Sequence, residues 1–202
     1  MECRYLRGVI RQVCVYCASN DGARPAYLAA ARAFGALLAA EGIAIIYGGG
    51  RVGLMGALAD SALEAGGKVI GVMPHGLVTR EVAHTALTEL HVVDTMHERK
   101  AIMAEHSDAF VALPGGLGTL EEFFETWTWA QLGVHSKPIA LLDVERYWQP
   151  LVLFLQHVSE EGFLRGTPAD LLIVDDNAER MLERLRAFHP PATRRWIRPG
   201  ET

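Results

Sequence analysis

The chain has 202 residues, half of them apolar and 21% charged, with a formal net charge of −5. That length suits one large domain with a sizeable core, and the acidic balance excludes a nucleic acid polymer as main partner, because phosphate backbones are held by basic faces. No N-terminal signal-peptide pattern appears, and the longest apolar stretch, YLAAARAFGALLAA, is broken by Arg32 and falls short of a membrane span, so the expectation is a cytoplasmic protein with no membrane partner.

In chain order, residues 1–8 read as an N-terminal extension, and a strand follows from Val9 to Cys17. It contains a C-x-x-C, Cys14 and Cys17, but "VCVYCAS" is β-branched and aromatic, which favours buried core thiols over a redox pair. Pro25 to Glu41 predicts an Ala-rich helix, "IAIIYGGG" a strand entering glycines, and "GLMGALADSALEAGG" a second helix. "KVIGVMP" and "ELHVVD" predict two more strands, then come a helix over Thr95 to Ser107, the strand "AFVALPGG" and a helix from Thr119 to Leu132. "KPIALLD" and "LLIVDD" complete the strands, with helices over Tyr147 to Glu161 and Asn177 to Phe188. Short apolar strands alternating with helices imply a parallel sheet covered on both faces. The fold class is therefore α/β, a Rossmann-like doubly wound parallel sheet in a single domain over residues 9–188, with 189–202 as a C-terminal tail.

Ligands of such sheets bind beyond the carboxyl ends of the strands, where both glycine clusters fall. "GGGRVG", Gly48 to Gly53, matches G-x-G-x-x-G, yet the next strand ends in "VMPH" with no acid for a ribose hydroxyl. A tight turn with close helix–strand packing is the plainer reading. "PGGLGT" is sharper: Gly115 and Gly116 open a helix whose free N–H groups and dipole make an anion site, with Thr119 adding a hydroxyl. It is not a P-loop, because no lysine precedes the threonine. The guest it suits is one phosphate.

Glu122 has two readings. Thr119 to Glu122 spells T-x-x-E, a capping box, as does Thr95 to Glu98 at the preceding helix. A carboxylate one turn from a phosphate site is otherwise useful only if something else binds there. Arg99 and Lys100 sit early in the preceding helix, against its dipole. They are either solvated surface charges or partners facing the phosphate loop.

"MHERKA", "LPGGLGTLEE" and "TWAQLGVHSKPIALL", together with "VCVYCAS", "YGGGRVGLMG", "GVMP" and "EEGF", resemble the LOG (Lonely Guy) family of cytokinin-activating phosphoribohydrolases over about three quarters of the chain. The resemblance implies a Rossmann-like homodimer. It implies cleavage of the N-glycosidic bond of a nucleoside 5′-monophosphate to free base and ribose 5-phosphate, with no metal or organic cofactor. It places the catalytic pair on Arg99 and Glu122. Substrate contacts fall on Glu81, Lys100, Gly115, Gly116, Leu117, Gly118, Thr119, Leu120, Glu121 and Thr128, with Ser19 a further nucleotide contact. The first loop, "CASNDGARP", departs from the family's usual pattern, which bears on the contacts made there.

Cleaving a ribosyl C1′–N9 bond develops oxocarbenium charge, which a carboxylate stabilises directly or meets by activating water. Glu122 suits either role. Arg99 is permanently charged, so it orients Glu122 and the phosphate instead of transferring a proton. Relatives of this family also carry the label lysine decarboxylase, a chemistry that needs pyridoxal phosphate on a Schiff-base lysine. Lys68, Lys100 and Lys137 are the only lysines, and none has surroundings of that kind. Two rivals stand beside hydrolysis: a non-catalytic nucleotide-sensing or nucleotide-carrying module, and an NAD-dependent oxidoreductase on the first glycine cluster. Phe123, Phe124, Trp127 and Trp129 are read as core first, and as a dimer seam second.

Overall fold

The computed structural model describes residues 9–78, 83–164, 170 and 172–190. Seven strands alternate with helices: β1 Gln12–Tyr16, α1 Pro25–Ala40, β2 Ala44–Tyr47, α2 Gly53–Glu64, β3 Val69–Pro74, α3 His75–Val78 and β4 Glu89–Val93. Then follow α4 Met96–Glu105, β5 Ala109–Ala112, α5 Leu117–Leu132, β6 Ile139–Leu142, α6 Gln149–Glu160, β7 Ile173–Asp175 and α7 Ala178–Arg186. All strands pair in parallel, in the order β4-β3-β2-β1-β5-β6-β7. The expected doubly wound sheet is present. The one-turn helix α3 is an addition that no sequence period announces.

Strand alternation divides the core into two layers. Val13, Val15, Ile45, Tyr47 and Val111 face α1, α2 and α7, where Phe34, Leu38, Leu58 and Met181 are buried. Cys14, Tyr16, Ile46, Phe110 and Ala112 face α4, α5 and α6, where Met103, Phe123, Trp127 and Leu155 are buried. Cys14 on β1 and Cys17, the residue just past its end, lie in opposite layers, and both are free thiols. Burial pushes the Cys14 thiol up to about 12 and raises Cys17 further. Both are core groups; Cys3 lies outside the described residues. Phe123 and Trp127 are core as well, while Phe124 and Trp129 are partly buried against the same layer.

The winding direction reverses between β1 and β5. Beyond β1 the chain steps outward through β2, β3 and β4; from β5 it steps the other way. The connections leaving these two strands must diverge, which opens a crevice at their carboxyl ends. The β1–β5 ladder runs right to its mouth: Leu113 N–H donates to Tyr16 O at 2.9 Å and Ala18 N–H to Pro114 O at 3.2 Å.

No helix among the described residues is long and apolar enough to cross a membrane.

Candidate active site

The second glycine cluster lies at this switch point. β5 ends at Ala112, and Gly116 is the N-cap of α5 with φ −91° and ψ −151°. The helix therefore begins at Leu117, two residues before the expected Thr119. No side chain caps it, so the N–H groups of Leu117, Gly118 and Thr119 have no acceptor within the helix. Thr119 lies inside the first turn, buried against Gly115, where an added Cβ would collide with its hydroxyl.

That geometry rules out the capping box expected at Thr119 and Glu122. A residue already in the helix cannot serve as its cap, and the early start follows from the freedom of the Gly-Gly pair. At the other T-x-x-E the threonine does cap: Thr95 Oγ1 accepts from Glu98 N at 3.1 Å, while Glu98 Oε2 reaches past the cap and accepts from Asp94 N at 3.0 Å.

Glu122 instead points at α4. Its Oε1 lies 2.6 Å from Arg99 Nη1, with the two side chains only 12% and 10% exposed. The contact is a close, largely buried ion pair. Burial lifts the carboxyl above its ordinary pKa; Arg99 opposes the lift and Glu121 adds to it. Arg99 is fixed from below, its Nε donating to Val72 O at 3.0 Å. A Cβ at Gly48 would strike Arg99 Nη2.

The first glycine cluster thus has an observed task. Gly48 makes room for the guanidinium, and Gly53, at φ +62°, packs directly on the Ser19–Asn20 backbone. It follows β2, one strand from the switch point, and β3 ends at Pro74 with no acid. Nothing in that geometry favours a dinucleotide.

Lys100 is not a solvated surface charge either. Its Nζ lies 2.6 Å from Glu121 Oε1 and 2.8 Å from Glu125 Oε2. Burial lowers its pKa, but the two carboxylates outweigh this and leave it raised. The other lysines are committed or remote from the crevice: Lys137 donates to Ala104 O at the end of α4, and Lys68 is exposed before β3.

The remaining expected contacts divide. Leu117 and Gly118 are exposed at the mouth, Leu120 packs inward, and Ser19 is exposed beside the β1–β5 ladder. Thr128 is about 9 Å along α5 from Glu122 at 1.5 Å per residue, exposed and bonded to Phe124 O at 2.7 Å. The fold does not bring it to the glycine loop. Glu81 lies outside the described residues. Sequence reasoning missed Tyr147, whose hydroxyl donates to Gly115 O at 2.6 Å, and Thr126, whose hydroxyl meets Tyr16 OH at 2.8 Å and ties α5 to β1. Partners 32 and 110 residues apart leave no local signal. No cluster of three or more His, Cys, Asp or Glu suited to a metal occurs among the described residues.

A buried Arg–Glu pair thus stands beside an uncapped glycine helix start at the switch point of the sheet. A cytokinin riboside 5′-monophosphate phosphoribohydrolase of Rhodococcoides fascians is 45% identical over 178 residues, 88% of this chain and 90% of the relative. One from Arabidopsis thaliana is 43% identical over 180 residues, 89% of this chain and 84% of the relative. The chain belongs to the LOG family. The family model that matches, over residues 55–185, is described as "Possible lysine decarboxylase". Among solved structures, a molybdenum cofactor binding protein from Rippkaea orientalis matches with a TM-score of 0.66 and 23% identity, covering 88% of this chain and 96% of that one. At that identity the likeness concerns the fold alone.

Proposed function

We propose that this LOG-family protein is a phosphoribohydrolase acting on adenosine 5′-monophosphates, including N6-modified ones, and releasing free base and ribose 5-phosphate. The observation that carries the reading is Glu122: a buried carboxylate paired with Arg99, one turn into a helix whose uncapped start forms the glycine loop. Such a group costs stability and is not needed as a cap, so its use lies in the chemistry. The backbone N–H groups of residues 116–119 hold the 5′-phosphate, helped by the helix dipole. Lys100 then exchanges part of its contact with Glu121 for the phosphate.

With the phosphate fixed, C1′ faces Glu122. The C1′–N9 bond breaks, the pair of electrons leaves with the base, and water oxygen bonds to C1′. One proton of that water ends on the base and the other on the sugar hydroxyl. Glu122 favours this by stabilising the oxocarbenium charge or by taking the proton from water. Arg99 orients the carboxylate and keeps enough of it ionised to act. Binding at the non-reacting phosphate is thereby spent on positioning the sugar.

The protein is also proposed to work in the cytoplasm as a homodimer. Support for the second copy comes from Leu153 and Phe154 on α6 and Phe163 just beyond it, which are 69%, 60% and 85% exposed. The loop and pair would serve a nucleotide carrier equally well, so turnover is the decisive property. Incubating the protein with AMP, N6-isopentenyl-AMP and adenosine, with chromatography of the products, tests it. Base is expected from the two nucleotides and not from the nucleoside. Base from adenosine at the same rate would remove the phosphate cradle from the account, and binding of the nucleotides without base release would favour a carrier.

A further inference from the structure

The glycine loop is held from outside the β5–α5 connection as well as from within it. Its only side-chain hydrogen bond among the described contacts comes from Tyr147, in the connection between β6 and α6, whose hydroxyl donates to Gly115 O at 2.6 Å. The connection is itself tightly held. Asp143, 4% exposed, accepts from Trp148 N at 2.7 Å and from the Gln149 amide. Glu145 and Arg146 adopt φ of 52° and 60°, which side-chain-bearing residues rarely do. Tyr147 is braced by the rings of Trp148 and Tyr27 at 4.8 and 5.6 Å, each edge-on. Arg24, in the loop after β1, pairs with Glu145 at 3.6 Å.

Every described peptide bond is trans. In a trans peptide the carbonyl of one residue and the N–H of the next point in opposite directions. A Gly115 carbonyl turned to Tyr147 therefore turns the Gly116 N–H away from it. The peptide lies between two glycines, so its reversal meets little steric resistance. Reversal would aim a carbonyl oxygen where the N–H had been, and a phosphate would meet a negative end instead of a donor.

We infer that Tyr147 is a positioning residue that locks the Gly115–Gly116 peptide with its N–H toward the 5′-phosphate, so that the connection after β6 sets the affinity of the loop. The backbone strain at Glu145 and Arg146, the Asp143 bonds and the ring contacts then share one task, which is to hold a single hydroxyl against a carbonyl. This rests on the reading that the loop binds phosphate.

The test is Tyr147→Phe, which keeps the ring and its contacts and removes only the hydroxyl. Affinity for ribose 5-phosphate, measured by calorimetry, is expected to fall about tenfold, the scale of one lost hydrogen bond. KM for AMP is expected to rise by a similar factor while kcat changes less than about threefold, because C1′ and Glu122 stay in register once phosphate is bound. In the free proteins, the Gly116 amide resonance moves between wild type and variant, as a reoriented peptide requires. Unchanged ribose 5-phosphate affinity with an unchanged Gly116 resonance would overturn the inference. So would an equal fall in kcat and kcat/KM with KM unmoved. A melting temperature within a few degrees of wild type shows that the variant is folded, and Tyr147→Trp, which restores a donor at a different reach, is expected to fail to rescue affinity. If wild type binds ribose 5-phosphate but releases no base, the proposed reaction fails while the Tyr147 comparison still stands.

Discussion

At Glu122, burial raises the pKa of the carboxyl and Arg99 lowers it, with burial the larger effect. The folded pKa therefore exceeds the unfolded one. A group shifted this way adds stability below its unfolded pKa and loses it as pH rises through its folded pKa. Glu122 is a burden at neutral pH, so Glu122→Gln is expected to melt no lower than wild type at pH 7, and the two should converge in acid. Each kcal/mol corresponds to about 2–4 °C for a chain of this size, so calorimetry across pH resolves it; a clearly lower midpoint at pH 7 would mean that the Arg99 pair outweighs the burial. The same shift predicts that kcat/KM falls on the acid side at a pH above the ordinary glutamate value of about 4.3. Gly48 gives a second residue-scale test. Gly48→Ala must displace the Arg99 guanidinium, and turnover is expected to fall at least tenfold, since displacements of about 1 Å cost up to 10²-fold.

The two helices that meet at the site begin by different means. Thr95 caps α4 with its hydroxyl, and Asn177 caps α7 with its amide oxygen, accepting from Arg180 N at 2.7 Å. Thr95→Ala is expected to cost about 1 kcal/mol, read as a drop of a few degrees in thermal midpoint. α5 begins at Gly116 with no such cap and keeps its donors open. Both T-x-x-E patterns look alike in sequence, and in only one does the threonine cap its helix. The difference lies upstream, where a Gly-Gly pair lets α5 start early and carries Thr119 past the capping position. The extents of most strands and helices, by contrast, followed from apolar periodicity and glycine stops, because those signals are local. The pairing of Arg99 with Glu122 was legible as motif but not as geometry, and the hold of Val72 and Gly48 on Arg99 was not legible at all.

On the scale of the whole molecule, the strand order decides where the chemistry sits. Alternating strands and helices announced a parallel sheet, but not that β1 lies beside β5, which is the fact that opens the crevice. That adjacency gathers the β1 loop, the β5 glycine loop and the β6 connection bearing Tyr147. Outside the crevice, Phe154 stands exposed on α6. Sedimentation is expected to show a dimer for wild type and a smaller species for Phe154→Glu, whereas a wild-type monomer at micromolar concentration would remove the second copy.

The central claim is that the buried carboxylate works on the sugar while the glycine loop holds the phosphate. Its most direct test measures base release from AMP and N6-isopentenyl-AMP by wild type and Glu122→Gln, alongside nucleotide binding by both. The account predicts a loss of at least about 10²-fold in kcat for the variant, with nucleotide affinity kept within a few fold. Equal turnover by Glu122→Gln would contradict it, and so would a variant whose lost activity is explained entirely by lost binding.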